Sequence, residues 1–188
     1  MLKTIICDIL TLKFNERSVH FMPTDISQLS LPDGQVITDP QTLNKYGQNK
    51  YTQEVMEAYS PLAIVEAHSY KDVQETLKYA NENKIPVTPY GNGTSIVNSS
   101  AGENGGIVLD LSKLNKIIDI NIPNQYAVVQ AGVLNGDLDT EARKQGYFFA
   151  PDPGSKPISS VGGNIATNAG GMSSLKYGTI KQSVLETV

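Results

Sequence analysis

The sequence predicts an α+β protein of two small α/β lobes. Two observations lead there. Between Pro61 and Pro89 an apolar run, an amphipathic helical pattern and another apolar run follow one another, the order of a strand–helix–strand unit, which usually makes parallel pairs. Between Gly106 and Gln130 three short apolar runs are separated by turn residues and lead into a second helical pattern, so a second group of strands is expected to pack on a helix.

Taken in order, residues 1–38 are expected to form an N-terminal arm with loops, broken at Pro23, Pro32 and Gly34. The first 21 residues read as a dispensable extension. A first lobe is expected over 39–112 and a second over 113–188. Asp39 reads as a cap for a short helix over 40–46, and the polar residues 47–58 as a connection. The apolar run 62–65, bounded by proline and a charge, reads as a buried strand. Ser69 and Asp72 stand at capping-box spacing, and Tyr70, Val73, Leu77 and Ala80 would form the inward face of the helix they open. Residues 85–89 form the next strand. Three further strands are expected at 106–110, 117–120 and 126–130, the last two joined by a tight turn at Asn121, Pro123 and Asn124. Asn135 reads as the N-cap of a helix reaching about Gln145, with Leu134, Leu138 and Ala142 inward and Gly146 as its left-handed terminator.

Composition excludes several classes of function. The chain has 188 residues, 39% hydrophobic and 18% charged, which is enough for a packed core and argues against wholesale disorder. Its net charge is −4, with no run of lysine or arginine, so no nucleic-acid partner is expected. Cys7 is the single cysteine, which excludes an internal disulfide or a multi-cysteine metal cluster. Asp8 interrupts the one apolar stretch near the start. Neither a signal peptide nor a membrane span is therefore expected, and the cytoplasm is the default location.

Two segments carry the chemistry. Gly91, Asn92, Gly93, Thr94 and Ser95 directly follow a strand. Glycine admits positive φ and lets backbone amides approach a ligand, and successive N–H groups in such a turn form an anion-binding concavity. A pyrophosphate is the natural guest. No lysine follows, so this is not a P-loop, and Ile96 stands where a third Rossmann glycine would fall. Taken alone, the loop also reads as an ordinary surface turn. In the second segment, residues 162–171 hold four glycines and two asparagines among small side chains. Such a stretch cannot build a core, but it can wrap amides around something flat and polar, with Asn164 and Asn168 offering donors and acceptors. The competing reading is a flexible linker, although linkers are poorer in Ile, Val and Ala. Lys176, just beyond, adds a positive charge.

The order of short motifs is more specific than either loop. PVTPYGNGTS, GGIVLDLSKLN, AVVQAGV, PDP, VGGNIATNAGG and KYGT together resemble the FAD-binding domain of the glycolate oxidase large subunit and D-lactate dehydrogenase group, of vanillyl-alcohol oxidase type. The resemblance runs from about Asp39 to the end of the chain. It implies that Gly91, Asn92, Gly93, Thr94 and Ser95 hold the FAD pyrophosphate. It implies that Pro151, Asp152 and Pro153 lie beside the flavin, and that Ser160, Gly162, Gly163, Asn164, Ala166, Asn168 and Gly171 line it, continued by Lys176, Tyr177 and Gly178. It also implies oxidation of a small D-2-hydroxy acid, of glycolate or D-lactate type, by hydride transfer to the flavin.

The sequence departs from that pattern in ways that carry expectations of their own. Tyr90 stands where many relatives have arginine, and residues 96–99 replace a more glycine-rich loop end. No histidine or cysteine lies in either glycine segment, so FAD is expected to bind non-covalently. The substrate-binding cap of the family has no counterpart here, and the FAD domain itself reads as truncated. His20 and His68 match no family motif and read as surface or structural residues, so no catalytic residue and no metal ligand is assigned. A hydroxy-acid substrate is expected only if another chain or segment completes the site, and an unfinished sheet edge would favour a homo-oligomer or a complementing chain. The alternative is a truncated, non-catalytic flavin-binding or interaction module.

Overall fold

Two four-stranded sheets organise the chain. The computed structural model describes residues 25–47 and 61–187, and the backbone of 3–6. The readings for Cys7 and His20, and the connection beyond Gly47, lie outside the described residues.

The expected arm contributes a strand to each sheet. Lys3–Ile6 (β1) joins the second sheet, and Gln35–Ile37 (β2) edges the first. Pro40–Gly47 (α1) follows, opened by Asp39 as the sequence predicts. The Asp39 carboxylate accepts from the Thr42 N–H at 2.9 Å and the Thr42 hydroxyl at 2.8 Å.

Ala63–Glu66 (β3) is buried through its first three residues, consistent with an unbroken apolar run. Tyr70–Asn83 (α2) opens with the predicted capping box: the Asp72 N–H donates to Ser69 Oγ and the Ser69 N–H to Asp72 Oδ2 at 2.8 Å. Its inward face differs from the apolar pattern. Tyr70 is exposed, whereas Asp72, Thr76, Tyr79 and Ala80 are buried, with Val73 packed against the same cluster. The cause is the Asp72 carboxylate, which also collects the backbone N–H groups of Asp33 and His68. Those bonds satisfy a buried charge and rotate the helix about a polar anchor.

Val87–Tyr90 (β4) and Ile107–Asp110 (β5) complete the first sheet, in the order β2-β3-β5-β4. β3, β5 and β4 are mutually parallel, and β2 is antiparallel to β3. β5 thus separates the two strands of the predicted strand–helix–strand unit, because its fully buried sequence suits the central position.

Ile117–Asn121 (β6) and Tyr126–Val129 (β7) form the predicted antiparallel hairpin. Its turn is closed by the Asn124 N–H on Asn121 Oδ1 at 3.1 Å and by Gln125 at φ +56°. Asn135–Lys144 (α3) packs Leu138 and Ala142 inward and ends before Gly146 at φ +79°. Asn135 is not its cap. It is the first helical residue and is fully buried, and its N–H donates to Ser159 O at 2.9 Å. Val161–Ala166 (α4), Ser174–Tyr177 (α5) and Val184–Thr187 (β8) complete the chain.

The second sheet has the order β6-β7-β1-β8, with β1 parallel to both β7 and β8. Ala127, Val129, Leu138, Phe149, Val161 and Ile180 make its core. Among the described residues no helix is long and apolar enough to cross a membrane.

Candidate cofactor site

The parallel strands β3, β5 and β4 end in register at Glu66, Asp110 and Tyr90, and the first glycine segment begins at the next residue. It therefore stands at the carboxyl ends of a parallel sheet, where open α/β sheets place their ligands. Gly93 has φ +60°, and a β-carbon there would strike the Tyr90 hydroxyl. Both its conformation and its surroundings require glycine.

The second segment comes to meet this loop. A β-carbon on Gly91 would lie 2.5 Å from Ser160 Oγ, and the Asn92 side-chain amide donates to Ile158 O at 2.8 Å. Ser160 caps α4, its hydroxyl accepting from the Gly163 N–H at 3.2 Å. The Val161 and Gly162 N–H groups donate to Val133 O and Ala131 O at 2.8 and 2.9 Å, and a β-carbon on Gly162 would collide with Ala131. The run that reads as a loop in sequence is thus a short helix, seated on the segment leaving β7.

Farther along, Gly171 lies directly against the backbone of Asp152, with no room for a side chain. The Asp152 carboxylate accepts from the Ser173 N–H at 3.0 Å and the Ser173 hydroxyl at 2.8 Å. Pro151 and Pro153, both buried, are in this way strapped to the end of the glycine run. Asn168 adopts φ +48° and its Oδ1 accepts from the Thr179 hydroxyl at 2.7 Å. Tyr177 meets Phe148 edge to face at 5.4 Å, and Lys176 Nζ lies 4.9 Å from the Tyr177 ring centroid. The neighbouring Tyr177 side chain raises the Lys176 pKa, so the cation is retained. Ala166 is exposed, and Gly178 turns the chain at φ +81°.

The sequence pattern passes over Asp139. It is 6% exposed, and it accepts from Lys156 Nζ at 2.7 Å, Arg143 Nε at 2.8 Å and the Phe149 N–H at 2.9 Å. It fixes the start of the segment that runs into Pro151. Its spacing to Arg143 is the one sequence signal, and that alone reads as a surface pair. His68 is exposed and pairs with Glu66 at 2.8 Å, as befits a surface residue. No group of three or more His, Cys, Asp or Glu able to hold a metal occurs among the described residues.

A cleft of about 750 Å³ opens beside Asn92 and is lined by Ser112, Ile117, Val133 and Asp137 among others. Asn92 is the one predicted site residue on its wall. Ser160 and Gly163 meet Gly91 at the contact between the glycine segments. The amide nitrogen of Asn164, a residue 3% exposed, has no hydrogen-bond partner. A buried donor left open is costly unless a ligand accepts from it. Together with the two glycines of the first segment and the four of the second, it fits a ligand with polar ring and phosphate atoms, as FAD has.

Comparison with known proteins agrees with this geometry. The family model described as FAD binding domain matches residues 61–187. A D-lactate dehydrogenase of Anaerostipes hadrus is 44% identical over 137 residues, covering 71% of this chain and 29% of that protein. The glycolate oxidase subunit GlcD of Bacillus subtilis (strain 168) is 34% identical over 125 residues, covering 66% of this chain and 27% of that protein. The chain therefore spans under a third of the length of these relatives. Among solved structures, an alkyldihydroxyacetonephosphate synthase superposes with TM-score 0.70 at 26% identity, over 83% of this chain and 33% of that one. The 6-hydroxy-D-nicotine oxidase of Arthrobacter nicotinovorans gives 0.68 at 25% identity, over 85% of this chain and 34% of that one. Sequence motifs, sheet arrangement and these matches converge: the chain belongs to the FAD-binding domain family of vanillyl-alcohol oxidase type.

Proposed function

We propose that the two glycine segments hold FAD non-covalently, and that the chain is the cofactor-binding part of an enzyme oxidising a small D-2-hydroxy acid. The observation that carries this reading is the contact between the segments, with Gly91 packed on Ser160. Gly91, Asn92, Gly93, Thr94 and Ser95 would present amides and hydroxyls to the pyrophosphate. Ser160, Gly162, Gly163, Asn164, Ala166, Asn168 and Gly171 would line the flavin, with Asn164 Nδ2 as a ready donor. Pro151, Asp152 and Pro153 would stiffen that wall, and Lys176, Tyr177 and Gly178 would continue it with a positive charge. When bound, FAD supplies the two-electron redox chemistry, and the chain's part is to bind, orient and exclude water. The substrate class rests on likeness to the D-lactate dehydrogenase and the glycolate oxidase subunit. Residues that grip a hydroxy acid would come from a completing segment, chain or second copy. A cytoplasmic location accords with the single cysteine.

Titrating FAD into the purified chain should quench flavin fluorescence to a saturable end point. Acid precipitation should then leave all of the flavin in the supernatant. Failure of the chain to take up FAD would overturn the reading, and flavin in the pellet would overturn its non-covalent part.

A further inference from the structure

α1 lies outside the residues that the family model matches, yet its last turn touches residues that flank the first glycine loop on both sides. At the near end the Tyr46 ring packs 4.6 Å from the Tyr90 ring, inclined at 51°. The Tyr46 hydroxyl donates to Asp110 Oδ2, at the end of β5. Asp110 is 3% exposed, and its other oxygen accepts from the Ser112 N–H at 2.7 Å. Tyr90, in register with Asp110, lies in turn beneath Gly93. At the far end Asn98, held at φ +53°, donates from Nδ2 to Gly47 O at 3.1 Å. The Asn98 N–H also donates to Ser95 O at 3.1 Å. Burial and the Asp110 carboxylate both raise the Tyr46 pKa far above its usual value, so the hydroxyl keeps its proton as a donor.

We propose that α1 is a brace that holds the 91–95 loop in its ligand-receiving conformation, with Tyr46 and Asn98 as its positioning residues. The inference rests on the reading that this loop receives the FAD pyrophosphate. A glycine-containing loop loses much conformational entropy when it is fixed, and that loss weakens binding unless it is met before the ligand arrives. Two anchors on one rigid helix turn meet it in the folded chain. Tyr90 adds a mechanical part: the residue that replaces an arginine in the motif becomes a ring on which the loop rests.

The test uses the full chain as wild type, Tyr46→Phe, Asn98→Gly, Gly93→Ala and the double variant Tyr46→Phe/Gly93→Ala. FAD, ADP and riboflavin are titrated into each, and amide hydrogen exchange of the peptide spanning the loop is followed without ligand. Tyr46→Phe and Asn98→Gly should each raise the Kd for FAD and ADP about tenfold while leaving riboflavin unchanged. Both should speed loop exchange, and the double variant should bind FAD no more weakly than Gly93→Ala. Equal losses for all three ligands, additive losses in the double variant, or unaltered loop exchange would overturn the brace. If Gly93→Ala leaves FAD affinity intact, the pyrophosphate reading falls instead, and faster loop exchange in Tyr46→Phe still upholds the mechanical link.

Discussion

Asp139 ties α3 to the segment that runs into Pro151, using one carboxylate for three donors. Burial pushes its pKa up, but the bonds from Lys156, Arg143 and the Phe149 N–H outweigh that and leave it below the ordinary value of 3.8. A carboxylate held lower in the folded than in the unfolded chain contributes stability above the unfolded value, and loses it as pH falls through the folded one. Asp139→Asn should therefore lower stability in neutral urea melts by about 2 kcal/mol. The gap from wild type should narrow as pH drops below 3.8. A gap that stays constant into acid would show that charge is not what Asp139 provides. Gly171 makes a complementary case. Its α-carbon rests on the Asp152 backbone, so Gly171→Ala should displace the strap and weaken FAD binding roughly tenfold or more, read by fluorescence titration. Neither partner was visible from spacing, because Asp139 meets Lys156, and Asp152 meets Gly171 and Ser173, only through the fold.

At the scale of elements, local signals were legible wherever they were self-contained. The α1 and α2 caps and the β6–β7 turn each close within four residues, and all three form. Ser69→Ala should cost about 1 kcal/mol of stability through the lost cap. Asp72→Ala should cost more, because the backbone donors of Asp33, His68 and Ser69 then lose their acceptor. Thermal melts of the two variants would rank them, and the reverse order would refute the polar-anchor account of α2. The inward face of α2 departs from the apolar pattern because hydrophobic spacing does not register a buried aspartate. At α3, Asn135 has the composition of a cap, but tertiary packing against Ser159 draws it inside the helix. β1 and β2 carried no readable pattern, since three or four residues recruited to sheet edges and gaps need little intrinsic preference.

For the whole molecule, the consequence is that the two glycine segments belong to different sheets. The first loop belongs to the end of β4, and the second segment is seated on the exit from β7. Motif order in the sequence was sufficient to name the family, while the contact that joins the motifs arose only from the fold. A ligand gripping both segments should stabilise both sheets together. Saturating FAD at about 100 times its Kd should add about 2.7 kcal/mol to unfolding in a single cooperative transition. Gly91→Val should abolish that increment, because its side chain would displace Ser160. Stabilisation of one transition while another stays put would show that FAD touches one sheet alone.

The placement of β1 bears on how the chain folds. Thr4 pairs with Val184, so the second sheet joins strands far apart in sequence. The first sheet has no such separation: β2 to β5 lie within 35–110, and its contacts are more local. Refolding followed by pulsed hydrogen exchange should then protect β3 and β5 before β7, with the β1–β8 register established last.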